Sequence, residues 1–162
     1  MKTLTIEAKW AILFSVMTLI WMLLERISGL HSTHIAQHAI FTNVFIIPAV
    51  ALYVIALREI KSKGFDGQMN FQQGMLSGLI MTLMITALTP VTQTIATKYI
   101  TPNFFQNFTN YAVQSGQLSL KDAEQYFNLK SYIIQALIGT PVMGMVTTLI
   151  IVLIIRTKTA KA

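Results

Sequence analysis

Gly64-Phe65-Asp66-Gly67-Gln68-Met69-Asn70-Phe71-Gln72-Gln73-Gly74-Met75-Leu76-Ser77-Gly78 is a short polar turn that enters a long apolar helix. From Gly74 a small or helix-bending residue recurs at every fourth position: Gly74, Gly78, Thr82, Thr86 and Pro90. Residues four apart stack on one helix face, so the row forms a ridge on which another helix backbone can lie close. The apolar run lasts from Phe71 to Ala96, longer than the ~20 residues that cross a bilayer. The chain reads as an integral membrane protein.

Composition agrees with that reading. The chain has 162 residues, 54% hydrophobic and 11% charged, whereas a soluble domain carries about 25% charged residues. The missing charge falls out of four blocks, about 7–27, 40–57, 71–97 and 132–155. The expected architecture is therefore one all-α transmembrane domain over residues 1–162, four helices forming two hairpins. No cysteine is present, which excludes disulfides, thiolate metal sites and a cysteine nucleophile. The net charge of +6 forms no Lys/Arg stripe, and the basic residues flank the apolar blocks. The expected contacts are lipid headgroups, not nucleic acid.

In the first block Lys2 and Lys9 precede an apolar core longer than a signal-peptide h-region, and no small-x-small site follows it. A retained span is expected, with Trp10 and Trp21 at its two interfaces. Glu25 and Arg26 fall where this helix leaves the bilayer, an inexpensive place for charge. The link from Ile27 to Ala39 holds all three histidines, His31, His34 and His38. Spacings of three and four would put them on one helical face, a candidate zinc or copper site. The plainer alternative is an interfacial helix that happens to use histidine, and no carboxylate stands at a helical offset to complete the set. Because histidine titrates near neutrality, a pH-responsive link is a further reading.

The second block places Pro48 near its middle, where it should kink the helix, and Asn43 as an interhelical hydrogen-bonding group. Thr82, Thr86, Thr89 and Gln93 make a polar stripe on the third span. Thr86, Thr89 and Gln93 are candidate vestibule-lining residues. The alternative is that the threonines bond their own helix carbonyls. Between Lys98 and Lys130 one or two short amphipathic helices are expected. Thr101-Pro102 is read as the start of the first, and Ser119-Leu120-Lys121-Asp122 as a capping box opening the second. Asn107-Phe108-Thr109 also matches the glycosylation sequon.

In the fourth span Ala136, Thr140, Gly144 and Thr148 repeat the four-residue step, and Pro141 should bend it. Ridge-to-ridge pairing of the third and fourth spans follows. Four spans put Lys2, Lys9, Arg58, Lys61, Lys63, Arg156, Lys158 and Lys161 on one side, eight of the twelve basic residues. That side, with both termini, is expected to be cytoplasmic.

The basic turn Ala56-Leu57-Arg58-Glu59-Ile60-Lys61-Ser62-Lys63-Gly64, continuing to Phe71-Gln72-Gln73-Gly74, resembles bacterial inner-membrane proteins grouped as domain of unknown function 4199. Leu118-Ser119-Leu120-Lys121-Asp122-Ala123-Glu124 and the Gly144-containing last helix ending in Arg156 are similar as well. The resemblance implies a four-helix, multi-pass protein of the bacterial inner membrane and carries no catalytic residues.

No Ser-His-Asp spacing, paired carboxylates or phosphate loop is present, and no acid or histidine is read as deep within a span. The chain is expected to be non-enzymatic and to need no cofactor. The first functional reading is an accessory, assembly or scaffold subunit, with a membrane-protein partner or a second copy as its contact. The alternatives are an oligomeric carrier or channel for a small solute, and a metal- or pH-responsive protein acting through the histidines.

Overall fold

The computed structural model describes residues 2–157, which contain seven α-helices and no strand. Lys158 and Lys161, counted above for orientation, lie outside the described residues, as does the side chain of Lys2. The helices are α1 (Lys2–Ile27), α2 (Ile35–Phe41), α3 (Ile46–Glu59), α4 (Phe71–Ile95), α5 (Phe104–Gln114), α6 (Leu120–Tyr126) and α7 (Leu129–Ile155). Wider π-turns over Ile60–Gly64 and Ala96–Ile100 lengthen α3 and α4. Four helical stretches are long and apolar enough to cross a membrane: Thr3–Ile27, Ile35–Gly64, Phe71–Ile100 and Leu129–Ile155. Their outward residues are apolar, among them Ile12, Ile20, Ile150 and Ile154. That is the surface a bilayer solvates.

Pro48 stands near the middle of the helical stretch Ile35–Gly64, as the third residue of α3. Proline lacks the N–H that would bond the Val44 carbonyl, and Thr42–Phe45 just upstream winds as a tighter 3-10 turn. One local expectation is corrected: α5 starts at Phe104 and not at Thr101-Pro102. Thr101 is taken up in a turn, its N–H bonding the Ala96 carbonyl and its carbonyl accepting from Phe104 N–H. Ser119 does cap α6, accepting from the Asp122 N–H at 3.2 Å.

The described residues form two compact units. The first draws on residues 2–14, 47–88 and 138–157. Its core contains Ala11, Tyr53, Ala56, Leu57, Met81 and Val152. In a bilayer, lipid tails are as apolar as leucine, so close packing must hold such helices together. The glycine ridge of α4 supplies it. A Cβ at Gly74 would press on Val152, one at Gly78 would overlap Thr148, and one at Gly144 would meet Thr82 and Tyr53. Each step of four along α4 is matched by a step of four back along α7, the register of two antiparallel ridges. Next to it, the Tyr53 and Thr82 hydroxyls are 3.0 Å apart and buried.

At the basic turn, Glu59 gathers three donors. Trp10 Nε1 donates to Glu59 Oε2 at 2.7 Å, Lys9 Nζ joins the same oxygen, and Lys63 Nζ donates to Oε1 at 2.9 Å. Lys61 Nζ donates to the Ile155 carbonyl at 2.6 Å. Glu7, near the start of α1, is fully buried within the protein.

The second unit draws on Ser15–Ile46 and Thr89–Leu137, and it holds the histidines.

Candidate metal centre

The centre begins with the way α1 ends. Gly29 has φ +76, in the left-handed region, where a Cβ would also crowd Thr33 and His34. Gly29 N–H bonds the Arg26 carbonyl at 3.0 Å, and Leu30 N–H bonds the Glu25 carbonyl at 3.0 Å. These paired bonds are the Schellman ending of a helix with glycine at C′. The chain reverses there, so His31 returns over the last turn of α1. Six residues of separation become contact: His31 Nε2 is 3.2 Å from Glu25 Oε2.

His38, on α2, approaches the same oxygen, its Nε2 at 3.7 Å from Glu25 Oε2. The Glu25, His31 and His38 ligand atoms all lie within 4.8 Å of one another. Glu25 and His31 are buried and His38 is half-buried. The other carboxylate oxygen, Glu25 Oε1, accepts from Trp21 Nε1 at 2.8 Å. This bond fixes the carboxylate so that Oε2 is left for the imidazoles.

Helix α5 closes the site through one face, Phe104, Asn107 and Phe108, the i, i+3, i+4 set. Phe104 stands edge-on to the His31 ring with centroids 4.8 Å apart, and Phe108 packs on His38 at 4.7 Å. Asn107 Nδ2 donates to the His31 carbonyl at 2.7 Å. A tetrahedral ion with bonds of about 2 Å holds its ligand atoms roughly 3.3 Å apart. The two distances to Glu25 Oε2 bracket that value. Two imidazoles and one carboxylate form a donor set that suits divalent zinc and its neighbours. His31 Nδ1 is buried without a hydrogen-bond partner.

Of the three histidines grouped by spacing, the structure brings together His31 and His38 and leaves out His34. His34 is exposed, its ring Nδ1 paired with the Ser28 carbonyl at 3.1 Å. Helical spacing does not apply across residues 28–34, which are turns. Glu25 takes the place that His34 was given.

The other candidates are placed as follows. Gly74, Gly78, Thr82 and Gly144 are buried, while Ala136 and Thr140 are half-buried. Thr86 Oγ1 donates to the Thr82 carbonyl of its own helix at 2.9 Å. Thr89 is half-buried, and so is Gln93, whose Oε1 has no hydrogen-bond partner among the described residues. Sequence reasoning missed two contributors: Glu25 was read only as a charge at a helix end, and the Phe104/Asn107/Phe108 face was legible as a helical stripe but not as a wall for histidines.

The family described as "Protein of unknown function (DUF4199)" matches residues 9–157, nearly the whole chain. The chain belongs to this family. The match extends from within α1 through the end of α7 and includes Glu25, His31 and His38. No curated protein and no solved structure matches the chain.

Proposed function

We propose that this chain is a non-catalytic, multi-pass protein of the bacterial inner membrane that binds a divalent transition-metal ion through Glu25, His31 and His38. The observation that carries the reading is the approach of two imidazole Nε2 atoms to one Glu25 oxygen, at 3.2 and 3.7 Å. A hydrogen bond alone accounts for the shorter distance. The longer one exceeds hydrogen-bond reach yet sits comfortably within an ion's coordination shell. The Phe104 and Phe108 rings keep the surroundings apolar, where an ion bound to a carboxylate is held more strongly than in water.

By the distribution of basic residues, the link between the first two spans faces away from the cytoplasm. An accessory or sensing subunit that responds to metal outside the membrane fits this placement. The internal pairing of the α4 and α7 ridges means that docking to a partner protein would use other surfaces.

Cobalt(II) is the probe. Titrated into the full chain in detergent, it should give the intense visible bands of a four-coordinate N/O site, displaced by equimolar zinc. His38→Gln should abolish the bands while leaving the helical circular dichroism unchanged. Only the weak bands of six-coordinate cobalt, identical in both proteins, would refute the reading.

A further inference from the structure

Glu7 lies in the first unit, well away in sequence from the metal-centre residues, and nothing said above uses it. Its side chain is fully buried in α1, and neither carboxylate oxygen has a hydrogen-bond partner among the described residues. Ala11, one turn further along the same face, is buried with it. Ser77 of α4, itself buried, stands beside Glu7 as the hydroxyl placed to donate to it. The next residue, Gly78, packs on Thr148 of α7, whose Oγ1 is also buried without a partner. Orphaned oxygens thus flank one turn of α4 from two helices.

A bare carboxylate in such surroundings is far costlier than a neutralised one. The N-terminal ammonium acts on it by charge, and no described side chain pairs with it. Lys9 and Lys63 are spent on Glu59, Lys61 on the Ile155 carbonyl, and Arg156 lies over the Phe71 ring. Arg58 and Asp66 are exposed. The group facing Glu7 from α4 is the Ser77 hydroxyl, which can donate to an acid or ligate a small cation. An ionisable residue inside a membrane protein marks an ion or proton site more often than a structural accident.

We propose that Glu7 binds a small monovalent cation, a proton or a sodium ion, inside the bundle. Both neutralise the carboxylate, and both use only oxygen partners. The site belongs to a different unit from the metal centre and does not depend on it.

The test is thermal unfolding of the full chain in detergent, wild type against Glu7→Gln. It is run in acidic and alkaline buffer, with sodium chloride or with choline chloride at equal ionic strength. Glutamine mimics the neutral acid, and both proteins carry a blocked N-terminus, so their difference isolates Glu7 from the ammonium that faces it. In choline, wild type should lose several degrees of melting temperature relative to the variant as pH rises, because deprotonation leaves a bare buried charge. If sodium restores the loss, the site takes sodium. If it does not, the site takes a proton.

Labelling with an apolar carbodiimide provides a second readout that needs no variant. The tryptic fragment Thr3–Lys9 contains Glu7 as its one acid. It should carry the adduct at acidic pH, and the adduct should fade at alkaline pH. Wild type and variant that melt in parallel under all four conditions, with no adduct on that fragment, would overturn the proposal. So would a variant less stable by the same margin everywhere, the mark of a fixed ion pair within the chain.

Discussion

Gly144 of α7 backs directly onto Thr82 of α4: a Cβ at position 144 would lie 2.6 Å from Thr82 Oγ1 and 2.8 Å from the Tyr53 hydroxyl. Three side-chain positions on three helices meet at a spot that only hydrogen can occupy. Gly144→Leu should push α7 off the ridge, and Gly78→Leu should do the same one step along, against Thr148. Overpacking a filled interior costs about 1–3 kcal/mol, and here backbone must move as well. Both variants should melt well below wild type in detergent. Gly139→Leu should be nearly silent, since a Cβ there meets nothing within 4 Å. Equal melting of all three would remove the ridge from the account.

The hydrogen bond from Trp21 to Glu25 Oε1 orients the carboxylate without touching the ion position. Trp21→Phe keeps the ring and deletes the donor. Zinc affinity should fall about 10–100-fold, the usual effect of losing an outer-shell hydrogen bond. Competition with a chelating dye would measure it. His34→Ala, which removes an exposed ring, should leave affinity unchanged.

Acidification should release the ion. Imidazole and carboxylate must be deprotonated to ligate, so protons compete with the metal and affinity falls as pH falls. Dye competition across a pH series should show proton uptake on metal release. An affinity independent of pH would mean that the histidines are not ligands.

Much of this fold was legible because its signals are local. The four-residue step in Gly74, Gly78 and Thr82, and again in Gly144 and Thr148, can be read within single helices, and so can the Ser119 cap. The candidate metal centre was half legible. His31 and His38 stood out as residue types, but Glu25 joins them only through the left-handed Gly29, which turns a sequence separation into a spatial contact. A glycine just past a helix end followed by an apolar residue was the available sign. Glu7 was illegible for another reason. Two residues before Lys9 it looks like part of a wet helix end, and its burial depends on Ser77, seventy residues away.

Sidedness can be tested because the chain has no native cysteine. Ser62→Cys, in the exposed basic turn, should react with a membrane-impermeant maleimide only after cells are opened. Gln117→Cys, exposed after α5, should react without the membrane being opened. The reverse pattern would invert the topology and put the metal centre on the cytoplasmic side.

The most direct measurement is the metal content of the full chain after zinc loading and removal of excess, compared among wild type, His31→Ala, His38→Ala and His34→Ala. The account predicts about one equivalent in wild type and in His34→Ala, the behaviour of one closed binding site, and close to none in the other two. Equal zinc in all four proteins, or loss in His34→Ala alone, would contradict it.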